Sequence, residues 1–101
     1  MIFRDLLISD LQSLPADRKE LERINNPLVY EWKRRQIADR ERLLSQLDTQ
    51  ERIIIERILI NREKASALRM ETGLTVREIQ SIKDEAINKL LYMRHGAAYR
   101  P

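Results

Sequence analysis

Apolar positions recur at helical spacing along almost the whole chain. Phe3, Leu7, Leu11 and Leu14 follow one another at spacings of four, four and three residues, which puts them on one face of an amphipathic helix. Ser13-Leu14-Pro15 breaks or restarts that helix, because proline cannot donate the backbone hydrogen bond an interior position needs. A short second helix is expected to use Leu21, Ile24 and Leu28 and to end at Asn25-Asn26-Pro27, since a residue before proline disfavours helical geometry. A charged third helix over about 28–46 follows, with Val29, Trp32, Gln36, Ile37, Leu43 and Leu44 as an incomplete apolar stripe.

The second half carries stronger signals. Asp48 or Thr49 caps a helix with Glu51 in its first turn, and Ile53, Ile54, Ile55, Ile58 and Leu59 give it the broad apolar face of a central, most buried helix. A short helix over about 64–71 turns Leu68 inward and stops at Thr72-Gly73, where glycine accommodates the left-handed backbone of a helix end. Thr75 with Glu78 three residues later forms a capping box, and Val76, Ile79, Ile82, Ala86, Ile87, Leu90 and Met93 then recur at helical spacing. Residues 94–101 read as a flexible tail. These elements predict an all-α fold: a helical bundle with a C-terminal helix-turn-helix.

Composition narrows the chemistry. The 101 residues are 43% hydrophobic and 35% charged, enough apolar material for a single small core. Ile53-Ile54-Ile55 is cut by Glu56-Arg57 before Ile58-Leu59-Ile60, far short of the ~18 uninterrupted apolar residues a bilayer requires. No membrane partner is expected. The start Met1-Ile2-Phe3-Arg4-Asp5 lacks the basic region and apolar run of a secretory leader, so a cytoplasmic location is expected. With no cysteine and one histidine, thiolate catalysis, disulfides and clustered metal ligands are excluded, and His95 stands far from any ligand set. Neither a catalytic residue nor a cofactor or metal is assigned. Only two glycines and three prolines leave no glycine-rich phosphate loop. Trp32, with Tyr30 beside it, is expected in the core. Lys33-Arg34-Arg35, with Arg40 and Arg42, alternates with Glu31, Asp39 and Glu41 and reads as a solvated, ion-paired face.

A short helix, a glycine turn and a longer capped helix make up the grammar of a helix-turn-helix, whose second helix enters the DNA major groove. Leu68, Gly73, Leu74, Ile79 and Ile82 occupy the inward positions of such a unit, with Gly73 and Leu74 forming the structural turn. An ordinary helical hairpin would use the same positions.

Leu47-Asp48-Thr49-Gln50-Glu51-Arg52, the isoleucine-rich helix, Gly73-Leu74-Thr75, and then Ile79, Ile82, Ala86 and Lys89-Leu90 resemble region 4 of bacterial σ70-type factors over residues 47–91. The earlier Leu-Leu-Ile-Ser-Asp-Leu-Gln-Ser-Leu-Pro, with Lys19-Glu20-Leu21-Glu22, is similar to the N-terminal helices of small phage transcriptional activators of the ArpU and RinA type. The resemblance implies a DNA-binding regulator from a prophage or mobile element, acting on late genes. Val76-Arg77-Glu78-Ile79-Gln80-Ser81-Ile82 keeps the framework isoleucines but not the reading side chains of housekeeping σ factors, so a conventional promoter specificity is not implied.

Within that frame the outward face of the last helix comprises Thr75, Arg77, Gln80, Ser81 and Asp84, with Lys83 beside it. Arg77 suits guanine O6 and N7, and Gln80 suits adenine N6 and N7. Thr75, Ser81 and Lys83 suit phosphates, aided by the backbone donors of the helix start. Residues 76–91 hold Arg77, Lys83 and Lys89 against Glu78, Asp84 and Glu85, so the helix is neutral. Affinity for double-stranded DNA must then come from homodimerisation, from Lys33-Arg34-Arg35, Arg62, Lys64 or the tail, or from RNA polymerase. Residues 1–46 are accordingly expected to dimerise or contact a partner, with 47–93 as the DNA-binding module. The alternative is a non-enzymatic adaptor that binds RNA polymerase or a σ factor without reading DNA.

Overall fold

A computed structural model describes residues 2–96. Among these, every regular element is helical: α1 (Ile2–Gln12), α2 (Leu14–Leu21), α3 (Pro27–Ser45), α4 (Thr49–Ile55), α5 (Ala65–Thr72) and α6 (Val76–His95). A π-helical turn, Glu56–Ile60, continues directly from α4. None of the described helices is long and apolar enough to cross a membrane.

Local chemistry sets most boundaries. Pro15 falls in the first turn of α2, where its missing N–H costs no helical bond, so the chain restarts at Leu14. α2 therefore lies earlier than expected and ends at Leu21. Leu28 belongs to the first turn of α3 and is 83% exposed. There the Asn26 side-chain oxygen accepts from the backbone N–H groups of Leu28 and Val29 at 2.9 and 3.3 Å, and Pro27 supplies the first helical residue. Asp48 and Glu51 form a reciprocal capping box at the start of α4, the Glu51 N–H donating to Asp48 Oδ1 at 2.8 Å.

The isoleucine run divides between two cores. Ile55, Leu59 and Ile60 join Leu7, Leu11, Leu14, Ile37, Leu44, Leu47, Ala86, Ile87, Leu90 and Leu91 in the main core. Ile54 joins Ala65, Leu68 and Ile79 in a smaller one, flanked by Ile58, Leu74 and Ile82. Ile53 is 43% exposed, so the broad face is narrower than the run suggests. Ile54 and Ile55 already part within α4, and in the π turn, where the Asn61 N–H donates to the Glu56 carbonyl at 2.8 Å, Ile58 flanks the small core while Leu59 and Ile60 join the main one. That core draws on α1, α2 and α3 as well as α4 and α6, so residues 1–46 pack directly onto the later segment.

Two expectations for the first half are corrected. Trp32 is 59% exposed, outside the core, while its neighbour Lys33 meets Asp17 and Glu20 of α2. Lys33 and Arg40 are not solvated either. The Arg40 side chain, 8% exposed, donates to the Asp10 carbonyl at 2.7 Å, Ser13 Oγ at 2.9 Å and the Gln36 carbonyl at 3.2 Å, and pairs with Asp17 Oδ2 at 2.7 Å. Lys33 Nζ lies 3.0 Å from Asp17 Oδ1 and 3.2 Å from Glu20. This network joins α1, α2 and α3. At the other terminus α6 runs through His95, whose ring stacks on Phe3 at 4.2 Å, and Arg94 pairs with Asp10 at 2.7 Å. Positions 94 and 95 of the expected tail are thus helical, and residues 97–101 lie outside the described part.

Candidate nucleic-acid interface

The turn between α5 and α6 is built by three consecutive residues. Gly73 takes a left-handed conformation, φ 72°, and its N–H donates to the Arg69 carbonyl at 2.9 Å. No side chain or backbone lies within 4 Å of where its Cβ would sit, so glycine is required by the dihedral and not by space. Leu74 turns toward Leu68 and Ile79 in the small core, and Thr72 Oγ1 bridges the Leu68 carbonyl at 2.7 Å and the Leu74 N–H at 3.3 Å. Thr75 caps α6: its Oγ1 accepts from the Glu78 N–H at 3.1 Å and donates to Glu78 Oε1 at 3.1 Å.

Arg57 fixes this unit to the rest of the bundle. Its guanidinium donates to Glu63 at 3.0 and 2.7 Å and to Glu71, joining the π turn to both ends of α5. These hydrogen bonds hold the Glu63 and Glu71 carboxyls below the usual carboxylate range. Both acids beside α5 are therefore ionised and neutralised in place.

The residues proposed as the reading face do not all share one surface. Arg77, Ser81 and Asp84 are exposed on the same side of α6, as their spacing requires. Gln80 is half-buried, and Lys83 lies on the stripe of Ile79, Ala86 and Leu90 and is half-buried too. α6 packs against α4 and α5 at its start and against α1 and α3 further along, so its covered arc is wider than one neighbour would produce. The Thr75 hydroxyl is committed to the cap. Asp84 accepts from Arg4 Nη2 at 2.9 Å, which brings the first turn of α1 to the edge of this face.

That contact changes the charge balance. Among the described residues, Arg62, Lys64, Arg69, Arg77 and Lys83 have no carboxylate within ion-pair distance, whereas most cations of α1–α4 are paired. With Arg4 and Arg57 added, the surroundings of α5 and the first half of α6 hold seven cations against Glu63, Glu71, Glu78, Asp84 and Glu85, an excess of two positive charges. α6 read alone gives neutrality because its local excess depends on Arg4 and on the cations before it.

α5 contributes surface as well as charge. Ser66, Arg69, Met70, Gly73, Leu74 and Thr75 line a shallow depression of about 520 Å³ at the turn, and Met70 is 96% exposed. Arg69 is exposed on α5. The sequence drew attention to Arg62 and Lys64 but not to Arg4 or Met70. Arg4 carries no sequence signal, since its partner lies 80 positions away.

The fold and this surface define a small all-helical protein with unpaired cations around the α5–α6 corner. No protein-family model, curated protein or solved structure matches the chain.

Proposed function

We propose that the protein is a sequence-specific DNA-binding transcriptional regulator of the phage or mobile-element type, with the first turns of α6 entering the major groove. The observation that carries this reading is the gathering of unpaired cations, Arg62, Lys64, Arg69, Arg77 and Lys83, around one rigid helix–turn–helix corner. Ion pairs elsewhere neutralise most of the remaining arginines and lysines. Arg77 and Ser81, exposed at the start of α6, are placed to meet base edges, while Lys64 and Arg69 are placed to meet phosphates. The half-buried Gln80 and the capped Thr75 are lesser contributors.

Selection of duplexes from a random pool at about 50 and 200 mM salt tests this directly, because phosphate contacts make affinity fall steeply with salt. The expected result is an enriched motif. Arg77→Ala should lose the preference at one base position, a discrimination of ~1–3 kcal/mol. Lys64→Ala or Arg69→Ala should weaken all sequences alike and lower the salt slope by about one. No enrichment at either salt overturns the proposal and leaves the adaptor reading, in which RNA polymerase or a σ factor is the partner. The half-buried Gln80 is the feature that favours that second reading.

A further inference from the structure

A groove of about 780 Å³ opens between α3, the α1–α2 junction and the end of α6, with Gln36, Asp39, Leu43, Gln46 and Met93 on its walls. Its charged groups are already matched: Arg42 pairs with Asp39, Arg40 with Asp17, and Arg94 with Asp10. An apolar side chain entering it would strand no charge, and the guanidinium planes beside it suit an aromatic ring. Trp32, with Val29, lies on the same face of α3 as Gln36, Asp39 and Leu43, and both are exposed. One helix therefore carries an exposed indole and an open groove on a single face. Eleven residues separate Trp32 from Leu43, about 16 Å at ~1.5 Å per residue.

We propose that this face is a two-fold dimer interface in which α3 crosses antiparallel to α3 of a second copy and each Trp32 enters the other copy's groove. A two-fold axis midway between Trp32 and Leu43 makes both contacts at once, so the assembly closes at two copies; a knob and a hole on unrelated faces would generate an open chain. The axis falls between Gln36 and Asp39. Reversal about it sets the amide donor of Gln36 opposite a carboxylate, so the polar centre is complementary to itself. Trp32, Leu28, Val29 and Met93 leave on the order of 400 Å² of apolar surface exposed per copy, about half of what each side of a standard interface buries. The groove walls add to this area, which sets the interface at the small end of the range for specific complexes. The proposal stands independently of whether α6 reads DNA.

The chain has a single tryptophan, so its fluorescence reports on this face alone. Sedimentation velocity over about 1–500 µM, a range covering weak to moderate association, should show a monomer–dimer equilibrium. Trp32 emission should move to shorter wavelength as dimer forms. Trp32→Ala removes the knob, and Met93→Arg obstructs the hole with a cation among arginines. Each is an exposed position, and each should weaken dimerisation about tenfold or more with an unchanged helical circular dichroism spectrum. A wild-type protein that stays monomeric, with solvent-exposed emission at every concentration, overturns the proposal. So does a dimer that survives both substitutions, or growth beyond two copies.

Discussion

Replacing Asp17 by asparagine removes the only carboxylate within ion-pair distance of Arg40 among the described residues, and one of two that serve Lys33. Arg40 is almost wholly buried, and a buried ion that loses its partner costs about 3–5 kcal/mol. The lower end applies, because the amide oxygen still accepts a hydrogen bond and the Asp10, Ser13 and Gln36 contacts to Arg40 persist. Asp17→Asn should therefore cost about 3 kcal/mol, a large share of the ~5–15 kcal/mol that stabilises a domain of this kind. Arg40→Met should cost less, since Asp17 keeps Lys33 and Ser13 as donors. Urea unfolding at pH 7, followed by circular dichroism, measures both. The pH dependence supplies a second check. Burial pushes the Asp17 carboxyl up, but hydrogen bonds from Lys33, Arg40 and Ser13 outweigh it and hold the group below its ordinary value. Its stabilisation is thus present above the unfolded-state pKa, about 3.9, and is lost as pH falls through the lower folded value. Hydrogen bonding to Asp17 raises Lys33, so that contribution is full below about 10.4 and lost as pH rises through the folded value. The gap between wild type and Asp17→Asn should be widest at neutral pH and narrow below about pH 4. An Asp17→Asn cost under about 1 kcal/mol, or an Arg40→Met cost exceeding that of Asp17→Asn, would refute the reasoning.

Two further substitutions probe the corner itself. Gly73→Val should destabilise by at least ~1 kcal/mol, because a β-branched residue resists the left-handed backbone; Gly73→Asn should cost less, and equal melting curves for both would contradict the dihedral argument. Thr75→Ala removes the cap of α6 and should cost about 1 kcal/mol while leaving the DNA preference of the proposed interface unchanged. A selective loss of one base position on Thr75→Ala would instead show that its hydroxyl leaves Glu78 to meet DNA.

The features legible in the sequence are those written within about four residues. Asp48 with Glu51, Thr75 with Glu78, Asn26 before Pro27, and Gly73 after α5 all act on their own neighbours, so composition and spacing reveal them. The features that escaped depend on which helices lie side by side. Whether Trp32 is covered depends on which helices lie beside that face of α3, which no periodicity encodes. Lys33 and Arg40 look like surface cations until α2 presents Asp17 to them. The isoleucine run is compatible with one wide α-helical face, whereas the neighbouring helices divide it between two cores. For the candidate site, the exposure of Arg77 and Ser81 followed from the turn and the cap, but the partial burial of Gln80 and Lys83 did not, because the covered arc of α6 widens with each neighbouring helix.

The two ends of α6 give the corner its rigidity. Ile79 is locked into the small core with Leu68 and Ile54, while Ala86, Ile87, Leu90 and Leu91 are buried in the main core with α1 and α3. One uninterrupted helix therefore carries the position of α3 to Arg77 and Ser81. Lys89 adds a lateral tie to Glu51 at 2.8 Å, and Arg4 adds another to Asp84 at 2.9 Å. A dimer about α3 would consequently fix the separation of two α6 N-termini, turning two weak, salt-sensitive contacts into one reading of two half-sites at a set spacing. The division of charge has the same logic. Ion pairs across the first half compensate most of its cations, while Arg62, Lys64, Arg69, Arg77 and Lys83, around α5 and the first half of α6, have no such partner among the described residues. If both proposals hold, a chain with a net charge of only +3 would in this way keep one surface for protein and another for phosphate.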